Sequence, residues 1–323
     1  MASKTSARTL DQKLAKIHAG KYTSKDFILA DAKDADMAFG TQAPQRGRTR
    51  EEYLEDMKAL SRQGVLDIML TSASNGQRLV HERGLNSKIT LACRANDSTD
   101  VWNQRGSSYP ATPSMPFSSV NLKRVKKFAD LVLYSITLNN DTAADRHTLE
   151  EFKKFRIEAA DVGIRYFLEV FNPNKPTNLK ESDIPSFVND HIIRNLAGVT
   201  VEERPIFLKI AYNGAKNLQE LAGHDKSVVV GVLGGSAGTT RDALELLSRA
   251  EEAGGRVSLF GRKIQKAENQ LELVRLMRKV LDKKATPEEA VREYHDTLKK
   301  QGIAAARSLK DDLQITEAVL RNE

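Results

Sequence analysis

The chain has 323 residues, 40% of them hydrophobic, and a formal net charge of +7. That is enough apolar material for one barrel-sized domain or two ordinary ones, while a pI near 9.3 raises the question of a nucleic-acid partner. The basic residues alternate with acids along helix-like stretches such as LVRLMRKVLDKK, the pattern of a solvated helix surface, so no nucleic acid is expected. A mild positive field instead favours small anionic substrates. No apolar run approaches the roughly 18 residues needed to cross a bilayer. The basic N-terminus, MASKTSARTLDQKLAKIHAGKY, lacks the apolar core of a secretory signal, so no membrane partner is expected. Cys93 is the single cysteine, which rules out an internal disulfide and suits a reducing, cytoplasmic compartment.

Residues 1–25 contain a short amphipathic helix, LDQKLAKI, expected to cap the bottom of the fold. FILAD (27–31) is the first predicted strand. TREEYLEDMKALSRQG (49–64) follows as a helix, with Thr49 as its cap and Gly64 as its stop. VLDIMLTS (65–72) is the second strand, and a helix is expected around 75–85. KITLACRAN (88–96) is the third strand. The Ser-, Pro- and Gly-rich stretch 97–119 follows, long enough to be either a lid or disordered, and we expect a lid. Residues 120–129 read as helix and 130–139 as strand four. Helix 142–163 leads to strand five (164–173), helix 181–198 to strand six (204–214), helix 215–223 to strand seven (227–235) and helix 239–255 to strand eight (256–264). Residues 265–323 form two or three further helices, which cover the exterior or mediate assembly, and a homo-oligomer is expected.

The strands are near-continuous apolar runs, as parallel strands buried on both faces require. Eight strand–helix repeats in about 240 residues predict an α/β fold of the (β/α)8, or TIM, barrel type. The competing doubly wound sheet lacks a GxGxxG after the first strand. The expected organisation is an N-terminal helical cap (1–25), a barrel (26–270) and a C-terminal helical extension (271–323).

In such a barrel the active site lies at the C-terminal strand ends. VLGGSAGTTRDALELL (232–247) ends strand seven with Gly234 and Gly235, whose backbone N–H groups can approach an oxyanion closely. Ser236, Thr239 and Thr240 follow as caps for the next helix. Gly261 and Arg262 end strand eight. The turns after strands seven and eight are the usual phosphate site of this fold, so Gly234, Gly235, Ser236, Gly261 and Arg262 are predicted to bind a substrate phosphate. Strand six, PIFLKIAY, carries Lys209 inside an apolar run. A lysine there is either one half of a structural ion pair or a nucleophile. Desolvation or a cationic neighbour exposes an amine lone pair, which can attack a carbonyl and form a Schiff base. Such chemistry needs proton transfers, so nearby carboxylates matter. Glu169, in the strand-five run YFLEVF, and Asp31, at the end of strand one, are the candidates. Asp34 and Asp36, close to Lys33, read as loop or helix-start residues. Tyr134 and Tyr212 are either proton relays or barrel-wall aromatics. The six histidines are scattered without ligand spacing, so neither a metal nor another cofactor is expected.

These strand ends resemble the barrel-type class I aldolases: deoxyribose-phosphate aldolase, archaeal-type fructose-bisphosphate aldolase, tagatose-bisphosphate aldolase and sulfofructose-phosphate aldolase. The resemblance spans residues of about 26–270 and rests on FILADAKDADMAFG, YFLEVFNPN, FLKIAY and the long segment from VLGGSAG to FGRKI. It implies that Lys209 is the Schiff-base lysine, that Glu169 and Asp31 lie in the site, and that Gly234-Gly235 and Gly261-Arg262 form the phosphate turns. Strand four lacks a lysine that some branches carry there. Phe171-Asn172-Pro173 stands where the archaeal branch has a tyrosine and a proline. The expected activity is metal-independent cleavage or formation of a C–C bond in a phosphorylated ketose. Two alternatives stay open: a sugar-phosphate isomerase or epimerase on the same barrel, and a barrel that binds a phosphorylated metabolite without turnover.

Overall fold

All eight expected strands are present in a computed structural model, which describes residues 8–43, 48–235 and 238–322. They are β1 (Ile28–Lys33), β2 (Ile68–Thr71), β3 (Thr90–Arg94), β4 (Leu131–Thr137), β5 (Arg165–Phe171), β6 (Leu208–Ile210), β7 (Val230–Leu233) and β8 (Val257–Phe260). All pair in parallel and close into one barrel in the order β1-β8-β7-β6-β5-β4-β3-β2. The chain is therefore a (β/α)8 barrel with surrounding helices.

Alternation along each strand divides the apolar residues into two cores. Ile28, Ala30, Leu131, Leu133, Phe167, Phe207, Val257 and Leu259 point into the barrel. Their neighbours Leu29, Val132, Leu168 and Leu208 point outward against the helices. The ring centroids of Phe167 and Phe207 stack 4.6 Å apart inside the barrel. The N-terminal helix Thr9–His18 closes the bottom. Its Leu10 and Leu14 join the inner core, and Lys13 donates to Asp67 Oδ2 at 2.7 Å and to the Phe27 carbonyl at 3.0 Å.

Local signals explain several boundaries. Thr49 and Glu52 form a reciprocal capping box at the start of Arg50–Gln63, and Gly64 stops that helix at φ 72°. The strand expected to run to residue 264 ends at Phe260. Gly261 breaks it, and the short helix Arg262–Lys266 begins there. The helix expected over 120–129 is limited to Leu122–Val125.

Beyond β8, helix Gln270–Leu281 packs against both Thr240–Glu252 and Arg50–Gln63, taking the last place in the helical ring. Pro287–Lys300 follows, with Pro287 in its first turn behind the Thr286 cap. The C-terminal segment is fastened to the helix after β7. Asp312 Oδ1 accepts from Thr240 N at 2.7 Å, and Asp242 Oδ1 accepts from Thr316 N at 2.7 Å. No helix among the described residues is long and apolar enough to cross a membrane.

Candidate active site

The C-terminal strand ends open onto a cavity of about 480 Å³. Lys209 and Glu169 lie side by side on its inner wall, each two residues beyond a member of the Phe167–Phe207 stack and on the same face. Lys209 Nζ contacts Glu169 Oε1 directly. The two are 7% and 1% exposed, so the contact is shielded while the amine still reaches the cavity. Strand register fixes the pairing: Ser135, Glu169, Lys209 and Gly231 are consecutive partners across β4 to β7.

The other carboxylate oxygen is also held. Ser135 Oγ donates to Glu169 Oε2 at 2.7 Å, and Arg94 Nη1 lies 4.0 Å from the same atom. Arg94 also donates to Asp34 Oδ2 at 3.1 Å, to Ser135 Oγ at 3.2 Å and to the Asn96 carbonyl at 2.8 Å. Burial opposes its charge, but Asp34 and Glu169 outweigh burial and raise its pKa. The result is one connected row, Asp34–Arg94–Glu169–Lys209. Arg94 was not singled out from the sequence. It carries the same signal as Lys209, a charge inside an apolar run (ITLACRAN).

Asp31 is not brought to this site, which corrects the sequence expectation. On β1, Ala30 and Ala32 face the barrel interior, so Asp31 and Lys33 face the helices. Both are fully buried there. Lys33 Nζ lies 3.6 Å from Asp31 Oδ2 and donates to Gln270 Oε1 at 2.8 Å. Asp34, just past the strand, lines the cavity instead. Tyr134 faces the helices as well and stacks on Phe155 at 4.2 Å, as a wall aromatic. Tyr212 belongs to the outer core too.

The expected phosphate turns lie on the cavity wall, but their parts are used differently. Gly234, Gly235, Gly261 and Arg262 all line it. Gly234 N donates to the Leu259 carbonyl at 2.8 Å, so this N–H extends the sheet and is not offered to an anion. The reason for glycine there is close packing: a Cβ would stand 2.5 Å from Phe260 Cδ1. Gly235 turns the chain at φ 63°. Ser236 lies outside the described residues. Thr239 caps helix Thr240–Glu252, but that helix start is occupied by the chain's own carboxylates. Asp242 Oδ2 accepts from Thr239 N at 2.8 Å, and Asp312 takes Thr240 N. Arg262 spans the two turns, donating through Nη2 to the Gly235 carbonyl at 3.1 Å. Its guanidinium has five donors, and among the described residues it has no carboxylate partner.

The 97–119 loop reaches the cavity. Its ends pair as a small antiparallel sheet, Asn96–Asp97 with Phe117–Ser118. Trp102 meets Tyr109 and Phe117 edge-on, both at 5.2 Å. Asn174 Nδ2 pins it from below, donating to the Thr112 and Pro110 carbonyls at 2.8 and 3.2 Å. Asp100, Val101 and Asn103 of this loop line the cavity. No local sequence signal marked Asp100, since its placement depends on where the whole loop folds. Among the described residues, no group of three or more His, Cys, Asp or Glu side chains is arranged to hold a metal ion.

No protein-family model matches the chain, and no curated protein matches it. Solved structures do. An archaeal fructose 1,6-bisphosphate aldolase matches with a TM-score of 0.62 at 17% identity, over 85% of this chain and 99% of that one. An archaeal fructose-1,6-bisphosphate aldolase with its catalytic lysine bound to the carbinolamine intermediate matches at 0.63 and 16%, over 84% and 99%. A fructose-bisphosphate aldolase from Slackia heliotrinireducens matches at 0.64 and 15%, over 93% and 92%. In fold, therefore, this chain is similar to the archaeal-type, Schiff-base-forming fructose-bisphosphate aldolases.

Proposed function

We propose that this protein is a class I aldolase acting on a phosphorylated ketose, with Lys209 as the Schiff-base nucleophile. The observation that carries the reading is the Lys209 amine in contact with the Glu169 carboxylate at the cavity wall. The substrate phosphate lies against Gly235, Gly261 and Arg262. Glu169 takes a proton from Nζ, and the nitrogen lone pair forms the bond to the ketone carbon. Protonation of the hydroxyl and loss of water give the iminium. A carboxylate then removes the proton of the substrate hydroxyl two carbons away. The C–C bond between them breaks, its electrons flow into the iminium, an aldehyde leaves and an enamine remains. Asp34, on the same wall, takes the place first expected of Asp31 in this step. Protonation of the enamine and hydrolysis release the ketone and restore the amine. No step in this cycle requires a metal.

Glu169→Gln keeps the side-chain shape and the Ser135 contact but cannot shuttle the proton. We expect kcat to fall about 10²- to 10⁴-fold with little change in KM, read by steady-state kinetics on a ketose phosphate. A kcat within a few-fold of wild type would remove Glu169 from the mechanism. Arg262→Gln leaves the nucleophile in place and removes the anion partner. We expect KM to rise about 10- to 100-fold with kcat largely kept. An unchanged KM would move the phosphate elsewhere.

The same Lys209–Glu169 contact also suits an isomerase in which Glu169 moves a proton and Lys209 only stabilises charge. Borohydride reduction in the presence of substrate separates the two, since only an iminium becomes a stable amine on Lys209.

A further inference from the structure

We infer that the substrate carries one phosphate, not two, and that its far end is an uncharged polyol held by Asp100. The covalent step of that substrate rests on the aldolase reading above. The single phosphate follows from which charges line the cavity.

Among the described residues, three cationic side chains line it: Arg94, Lys209 and Arg262. Arg94 is committed to Asp34 and lies beside Glu169, and Lys209 is held by Glu169. Arg262 alone has no carboxylate partner. It sits on the β7–β8 side, next to Gly235. The strand order places β3 and β4 across the barrel from β7 and β8. That opposite wall presents Asp100. Its Oδ2 accepts from Thr137 Oγ1 on β4 at 2.6 Å, and its Oδ1 accepts from Ser114 Oγ at 3.1 Å. Both partners are neutral hydroxyls. Among the described residues no cation lies within ion-pair distance of Asp100. Its neighbours on the cavity, Asn103 and Asn174, are neutral amides.

A phosphate carries nearly two negative charges at neutral pH and needs cationic or N–H donors. A second phosphate reaching this wall would meet a carboxylate with no cation between them, in a partly desolvated site where like charges repel strongly. Sugar hydroxyls suit the same wall well, because each can donate to Asp100 and exchange hydrogen bonds with the Asn103 amide. The Arg262 side and the carboxylate wall thus orient a ketose monophosphate across the mouth.

The test is calorimetric titration of the whole chain with a hexitol monophosphate and with the hexitol 1,6-bisphosphate. Neither has a carbonyl, so neither can react with Lys209, and the result stands apart from borohydride trapping. We expect the monophosphate to bind at least tenfold more tightly. Asp100→Asn narrows that ratio several-fold by selectively improving the bisphosphate, and Arg262→Gln weakens the monophosphate. Equal binding, a preference for the bisphosphate, or binding of neither in the wild-type protein overturns the inference. A ratio unmoved by Asp100→Asn overturns the role given to Asp100. Failure of borohydride trapping while the tenfold preference holds would sink the Schiff base and keep the monophosphate.

Discussion

Lys209→Met is expected to lower kcat/KM by at least ~10⁴-fold while leaving the fold intact. That corresponds to about 5 kcal/mol of transition-state stabilisation. Methionine keeps the unbranched stem that lies above the Phe167–Phe207 stack and deletes only the amine. Glu169 keeps its Ser135 hydrogen bond and the nearby Arg94, so the substitution does not orphan a buried charge. The thermal midpoint should therefore move little. Lys209→Arg separates covalent from electrostatic roles. It restores a positive charge but not a nucleophile, so it stays inactive if the amine attacks. Recovery of a few per cent of activity in Lys209→Arg would favour the isomerase reading. More than one per cent of wild-type activity in Lys209→Met would remove the lysine from the chemistry altogether.

The second large effect is on stability. Lys33→Met is expected to cost about 3–5 kcal/mol at pH 8, because it strands Asp31 between β1 and the helices. Both Asp31 oxygens lack a hydrogen-bond partner among the described residues, and the side chain is fully buried. Burial pushes its pKa up to about 6 despite the opposing attraction of Lys33, and Asp34 adds to the rise. Burial likewise lowers the pKa of Lys33, against the pull of Asp31. The stability linked to the Asp31 proton is fully present below the ordinary value of 3.8 and is lost as pH rises through about 6. Asp31→Asn should flatten that part of the stability curve. The loss in Lys33→Met should fade below pH 6, where Asp31 enters the fold protonated. The double change Asp31→Leu with Lys33→Met should be neutral or stabilising, as apolar replacements of buried pairs often are. Urea unfolding across pH 4–8 checks all of this. Asp31→Asn should also keep its activity, because Asp31 does not line the cavity. A large loss of kcat in Asp31→Asn would contradict the outward placement of this residue.

The barrel was legible because its strands are apolar on both faces and its helices carry ordinary stops and caps, as at Thr49 and Gly64. That same two-sided burial hid the orientation of β1. In FILADAK both faces look alike, so nothing local decides whether Asp31 or its neighbours face inward. Lys209 and Glu169 stood out as charges in apolar runs, and register then placed them side by side. Of the two glycines after β7, only Gly234 has its N–H taken up by the sheet. Gly234 lets Phe260 pack, Gly235 turns the chain, and the Arg262 guanidinium lies beside them. Asp100 was out of reach, since it arrives through a loop tied down by Asn174, more than seventy residues away in sequence. Local pattern reports what a residue is buried in. It does not report which distant segment closes over it.

The most direct test is mass spectrometry of the protein after borohydride reduction with a ketose monophosphate. A single adduct is expected on the peptide containing Lys209, with the mass of the reduced sugar phosphate or of its retained ketone fragment, and none in Lys209→Met. No adduct under conditions of turnover, or an adduct on another lysine such as Lys33 or Lys263, would contradict it.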